Sequence, residues 1–352
     1  MRISITHAAL AAAFFICTAC NAPEPTVAAQ FIEFEGSTMG TTYSVRIARP
    51  PQRFVDVPND LALIIEEELE HVNDHMSTYQ SDSELSRFNA STDMSPFALS
   101  EDTAQVFALA LEVSEQSDGA FDVTIGPLVN AWGFGPDDRP DAPLTDDEIN
   151  RLMDRMGYAK LNLDLENGTV AKQIPELNCD LSAIAKGWAS ERIADALVDA
   201  GCTEYMVEVG GEVQAKGLNP GNVPWRIAIE TPAIGRREVF AIAGLSDVGM
   251  ATSGDYRNFY DVDGVRLSHT IDPRTGRPVA HNLGSVSVVH KSCALADAYA
   301  TALMVMGADE GFGWAANEGI AAFFITRDPE GALQYKATEQ FEPYLAEVIE
   351  PS

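Results

Sequence analysis

EYMVEVGGEVQAKG, residues 204–217, is the stretch on which the fold turns. Short apolar bursts with period-two alternation, broken by Gly210 and Gly211, are what strands produce when successive side chains point to opposite faces. The glycine pair reads as a bulge or a close backbone approach. The same signature returns in WRIAIET (225–231), VFAIAGLSDVGMAT (239–252), LGSVSVVH (283–290) and IAAFFIT (320–326). These strands cluster in the second half and do not alternate strictly with helices. The pattern therefore predicts an α+β fold in preference to a doubly wound parallel sheet.

Upstream, FIEFEGSTMGTTYSVRI (31–47) reads as two strands around a Gly36-Ser37-Thr38 turn. Leu61, Ile64, Ile65, Leu69 and Val72 then recur at helical spacing. Val106, Leu109, Ala110 and Val113 mark a second helix, with Ser100 as N-cap, Glu101 and Asp102 in its first turn, and an end at Ser117-Asp118-Gly119. GPDDRPDAPLTDDE (135–148) is a turn-rich loop whose Thr145 and Glu148 form a capping box for the next helix. Further helices are expected over Ile184–Leu197, from Leu295, and from about Asp309. No repeat of 20 to 50 residues is present, and neither a Walker A motif nor a GxGxxG after a strand occurs.

The 352 residues, 46% hydrophobic, suffice for a large core. Fifty-three acidic residues against 23 basic ones give a net charge of −30. Such a surface repels nucleic-acid phosphates and anionic lipid, which excludes direct nucleic-acid binding. The start, MRISITHAALAAAFFICTAC, has Arg2, an apolar run from Ala8 to Ile16 and a small residue before Cys20, the pattern of an export signal over residues 1–19. Cys20 matches the lipidated cysteine of a bacterial lipobox, with Thr18 and Ala19 fitting and Cys17 standing where Leu is usual. NAPEPTVAAQ then suits a tether over residues 20–30, leaving residues 31–352 as the functional domain. Cys179, Cys202 and Cys293 have no CxxC spacing and read as small core residues.

Four clusters could carry chemistry. In CALADAYATALMVM (293–306), Asp297 and Thr301 stand four apart on one face of an otherwise apolar helix. A carboxylate and a hydroxyl are hard ligands suited to Mg²⁺. The plainer reading pairs Asp297 with a Lys or Arg and lets Thr301 bond back along the helix. In SHTIDPRTGRP (268–278), the turn at Asp272-Pro273 and Thr275-Gly276 holds His269 and Arg274 where either can meet a ligand. A loop histidine can equally be structural. DGAFDVTIGPLVNAWGFG (118–135) combines glycines with Phe121, Trp132 and Phe134, either a face for a flat ligand or a Gly-Pro corner with core aromatics. In CDLSAIAKGWA (179–189), Asp180 or Ser182 would cap a helix bearing Lys186, a place for a phosphate or simply an amphipathic helix with a solvated lysine.

Taken together, GSTMGTTYS, MSTY, DGAFDVTIGPLV, DLSAIAKGWA, VEVGGEV, SGDY, HTIDPRTG and LADAYATALMVMG resemble, in content and order, the ApbE family of FAD:protein FMN transferases, lipoproteins of the bacterial periplasm. The resemblance runs from about Gly36 to Ile325. It implies a single T-fold-like α+β domain, with a strand-rich second half and flanking helices. The implied reaction moves FMN from FAD to a Ser or Thr hydroxyl of an acceptor protein, needs Mg²⁺ and releases AMP. It further implies that the metal is held by Asp297, Thr301 and the carbonyl of Ala183. Met39, Tyr79, Ala120, Phe121, Asp122, Asp180, Lys186 and Ile271 would line the flavin site, and His269 would be the base. The protein would sit on the periplasmic face of a membrane, lipid-anchored at Cys20. One departure is Glu212, where the family commonly has Asp after the glycine pair. The chain contains no stretch like the family's acceptor motif, Ser/Thr-Gly-Ala-Ser/Thr, so a partner in trans is expected. Two rival expectations are an Mg²⁺-dependent FAD pyrophosphatase and an exported flavin carrier.

Overall fold

The chain is described by a computed structural model covering residues 2–5, 31–136, 139–140, 142–233, 238–256, 259–262 and 265–349. Cys20 and the proposed tether lie outside the described residues. Among the described residues nine strands form the main sheet: β1 Arg2–Ile5, which lies within the expected export signal, β2 Phe31–Thr38, β3 Thr41–Ala48, β4 Tyr205–Val209, β5 Glu212–Lys216, β6 Val248–Gly254, β7 Leu283–His290, β8 Ala321–Arg327 and β9 Leu333–Ala337. They lie side by side in chain order, and every neighbouring pair is antiparallel. The sheet is thus a meander into which long insertions are spliced, as the clustering of strand signals leads one to expect, and no parallel pair needs a helical crossover.

Period two sorts the side chains into two cores. Val45, Ile47, Tyr205, Val207, Val209, Val286 and Val288 face a helical layer. Met206, Val213, Ala215, Phe323 and Ile325 face the other way, onto a three-stranded sheet made from Trp225–Glu230, Val239–Leu245 and Leu345–Val348. The helical layer contains α1 (Asn59–Met76), α2 (Glu101–Gln116), α3 (Ala185–Asp199) and α4 (Cys293–Glu318). Leu61, Ile65, Leu69 and Val72 are buried along α1, as their spacing requires. Ser100 caps α2 by accepting from Thr103 N, and the capping box of Thr145 and Glu148 is formed on both sides.

Two local expectations change, at the β2–β3 turn and at the start of α3. The β2–β3 turn is Met39-Gly40, not Gly36-Ser37-Thr38, which continue β2. Both Met39 and Gly40 have positive φ, 49° and 71°, the signature of a tight two-residue hairpin. The helices expected from Leu295 and from about Asp309 are both present, separated by non-helical Gly307 (φ 79°), and together carry the label α4. His281 Nε2 lies 2.8 Å from the Met304 carbonyl, next to that break, and so satisfies a polar group that the interruption would otherwise strand. Finally, neither Asp180 nor Ser182 caps α3. Its N-cap is Ile184, without a side-chain bond, and Asp180 Oδ1 instead accepts from Ser182 N in a turn preceding the helix.

The crossing of α3 and α4 sets the geometry of everything that follows. A Cβ on Gly187 would come within 2.4 Å of the Cys293 carbonyl oxygen, so only glycine permits the two backbones to approach this closely. Gly187 N also donates to Asp297 Oδ2 at 3.2 Å. The crossing thereby places the first turn of α3 against the first turns of α4.

Candidate active site

Where α3, α4, the β2–β3 turn and the loops after α1 and α2 converge, they enclose a cavity of about 460 Å³, the size of a site for a substantial small molecule. Twelve residues singled out in the sequence line this one cavity: Met39 from the hairpin turn, Tyr79 after α1, Ala120, Phe121 and Asp122 after α2, Asp180, Ala183 and Lys186 around the start of α3, His269 and Ile271 from the loop before β7, and Asp297 and Thr301 from α4. Arg274 is not among them. It is held by Asp272 at 3.0 Å and Glu310 at 2.6 Å, and so braces its own turn against α4. Trp132 is likewise structural, buried and donating its indole N–H to the Gly276 carbonyl at 2.9 Å, whereas Phe121 and Phe134 do line the cavity.

Asp297 is only 3% exposed. Burial raises the pKa of its carboxyl, against which Lys186 and the Gly187 N–H work. Lys186 is therefore not the solvated cation that helical patterning allows. Its ammonium donates to the Ser182 carbonyl at 3.0 Å and stands 3.5 Å from Glu212 Oε1 and 3.7 Å from Asp297 Oδ2. Partial burial, its side chain being 28% exposed, opposes its charge, but Asp297 and Glu212 more than offset this and raise its pKa. Glu212, also buried, is pushed up to about 8, chiefly by burial. Thr301, one turn beyond Asp297, has its hydroxyl 3.4 Å from Ser253 Oγ. A carboxylate, a hydroxyl and the neighbouring Ala183 thus share a wall, a set of hard oxygen donors of the kind that suits Mg²⁺.

Asp122 lines the cavity and also ties down the loop that carries it. Its Oδ1 accepts from Thr124 N at 2.8 Å and from the Thr124 hydroxyl at 2.6 Å, and its Oδ2 accepts from Tyr158 N at 3.0 Å. Burial raises its pKa while these bonds favour the charged form. The carboxylate is a clasp for the cavity loop, which is stitched again by Asp180 N to the Val123 carbonyl at 2.7 Å. Asp122→Asn turns an amide donor against backbone donors, so we expect a loss of about 1–3 kcal/mol in urea unfolding. An unchanged transition midpoint would show that these bonds do not carry the loop.

Several lining residues gave no separate signal. Ser77 Oγ accepts from Tyr79 N at 3.1 Å and Gln80 N at 3.2 Å, which shapes the turn presenting Tyr79. Thr252, Ser253 and Gly254 close the cavity from the end of β6, and Glu212 does so from the start of β5. His269 stands beside Phe134, their ring centroids 6.3 Å apart.

Comparison with known proteins identifies the family. The profile of the ApbE family matches residues 39–324. A Vibrio cholerae protein named FAD:protein FMN transferase is 45% identical over 335 residues, covering 95% of this chain and 97% of its own. An Escherichia coli K12 protein of the same name is 36% identical over 350 residues, covering 98% and 99%. The solved structure of the flavin transferase ApbE from Vibrio cholerae superposes with a TM-score of 0.83 at 46% identity, over 90% of this chain and all of that one. The apo Pseudomonas stutzeri flavinyl transferase ApbE gives 0.79 at 37% identity, over 90% of this chain and 97% of that one. On the match to most of its length and the identity to these relatives, the chain belongs to the ApbE family.

Proposed function

We propose that this protein is a FAD:protein FMN transferase that moves the FMN half of FAD onto a Ser or Thr hydroxyl of an acceptor protein, releases AMP, and does so with Mg²⁺ held by Asp297, Thr301 and the Ala183 carbonyl. Flavin transfer from FAD to protein rests on family membership and on the relatives of that name. For the finer chemistry, the supporting observation is that the buried Asp297 carboxylate, the Thr301 hydroxyl, Lys186 and His269 line one cavity with apolar Met39, Phe121 and Ile271. The donor set fits a hard dication, because the Asp297 carboxylate and Thr301 hydroxyl are hard oxygen ligands lining one cavity and the ammonium beside Asp297 also has Glu212 within reach.

When bound, Mg²⁺ supplies charge neutralisation at the phosphate oxygens of the splitting pyrophosphate. The chain's own residues do the rest. Met39, Phe121 and Ile271 offer apolar surface to a flat ring system and exclude water from it. Lys186 adds a positive charge beside the phosphates. The acceptor hydroxyl oxygen forms a bond to the FMN phosphorus as the P–O bond to AMP breaks, the electron pair leaving with AMP. His269 takes the hydroxyl proton. The acceptor carries a Ser/Thr-Gly-Ala-Ser/Thr type motif and is a separate protein.

The test is intact-protein mass spectrometry of an acceptor bearing a Ser-Gly-Ala-Thr segment, incubated with the protein, FAD and Mg²⁺. The expected result is one FMN-sized mass gain that EDTA abolishes. Free FMN and AMP with two such acceptors unmodified would replace the reading with FAD hydrolysis, and bound, intact FAD would replace it with a carrier. The leader pattern supports placing the protein at the periplasmic face of a bacterial membrane, lipidated at Cys20. Labelled fatty acid is then incorporated by the parent and not by Cys20→Ser, and label retained in that variant would overturn the anchor.

A further inference from the structure

Glu212 has no part in the transfer chemistry set out above, yet it is 95% buried at the cavity wall, being 5% exposed. Its Oε1 stands 3.5 Å from the Lys186 ammonium. Its Oε2 is buried with no hydrogen-bond partner among the described residues. A carboxylate oxygen left so is costly, and the cost needs a cause. The surroundings are shaped around this pair. Gly210, with φ of 68°, turns the chain just before Glu212, and a Cβ there would meet Lys186 Cδ at 2.9 Å and Glu212 Oε2 at 3.2 Å.

Lys186 is thus one cation between two acids, 3.7 Å from Asp297 on its other side. A dication on Asp297 and the ammonium compete for the same carboxylate, and like charges at that range repel. If Asp297 were the only acid, metal binding would leave the ammonium with the Ser182 carbonyl and no counter-charge. With Glu212 beside it, the ammonium has a second carboxylate already in reach.

We propose that Glu212 is a positioning residue, the alternative seat for Lys186: the two acids share the ammonium in the metal-free protein, and Glu212 keeps it in the cavity wall when a dication takes Asp297. This rests on the assignment of Asp297 as a metal ligand. It predicts that Glu212 tunes cation affinity and the position of a lysine, which a residue that only fills space would not do.

The experiment uses the full protein without FAD, titrated calorimetrically with Mg²⁺ alone. In parallel, Lys186 is labelled by a water-soluble amine acylating reagent with and without Mg²⁺ and read by peptide mass spectrometry. In the parent, Lys186 stays protected in both conditions. In Glu212→Gln, Mg²⁺ binding weakens by about tenfold, and Mg²⁺ raises the Lys186 labelling rate by about tenfold as the ammonium loses its seat. Lys186→Met, which removes the competitor, binds Mg²⁺ more tightly than the parent. Equal Mg²⁺ affinity and equal protection in the parent and Glu212→Gln overturn the role of Glu212 while leaving the metal assignment standing. Weaker Mg²⁺ binding by Lys186→Met likewise overturns it, and decides the matter if Glu212→Gln does not fold. Undiminished Mg²⁺ binding by Asp297→Ala overturns the metal assignment and this proposal with it.

Discussion

Asp297→Ala lowers FMN transfer by about 10³-fold, the loss expected when several kcal/mol of phosphate charge stabilisation are withdrawn. The protein nevertheless stays folded. Removing this carboxylate costs the Gly187 N–H its acceptor, but it also leaves Lys186 paired one-to-one with Glu212 instead of divided between two buried acids. The melting temperature of the metal-free protein therefore moves by no more than about 5 °C, whereas added Mg²⁺ no longer raises it. Calorimetric melts with and without Mg²⁺, run beside the mass-gain assay, check both halves. A variant that transfers FMN at the parent rate removes Asp297 from the metal site.

His269→Gln slows transfer by about 10²-fold or more, the usual contribution of a general base, with FAD affinity nearly intact. The amide keeps a polar group of similar reach beside Phe134 but cannot take up the proton of an attacking hydroxyl. Flavin fluorescence titration separates binding from transfer. Parent-like transfer rates would exclude His269 as the base, and a large loss of FAD affinity would recast it as a binding residue.

The meander and its helical layer were legible because burial imposes period two on strands such as Tyr205–Val209 and period 3.6 on α1. The hairpin turn was misplaced because Gly36-Ser37-Thr38 has turn composition, while the positive φ at Met39 belongs to a residue type that rarely adopts it. The helices expected from Leu295 and from about Asp309 are separated at Gly307, a residue free to take the positive φ found there. Among site residues, Asp297 and Thr301 announce themselves as oxygens on an oily helix. The additional loop contact of Asp122 and the bracing by Arg274 could not be read, because a carboxylate clasping Tyr158 N and a guanidinium meeting Glu310 depend on partners 36 residues away in each case. Glu212 was visible only as a variation after a glycine pair. Its partnership with Lys186 arises from the α3 approach that Gly187 permits, a contact that sequence order does not foretell.

The spliced meander has a consequence for how the protein comes into being. Its cavity is assembled from contributions spread between Met39 and Thr301, and β3 finds its neighbour β4 only after 156 intervening residues. Such distant pairings must close long loops before they are rewarded, so folding is slow relative to helical proteins of similar size. A nascent chain that has not yet reached α4 possesses most of the cavity wall but neither Asp297 nor Thr301. Completing the cavity therefore requires α4, the last of its walls in chain order, to pack across α3.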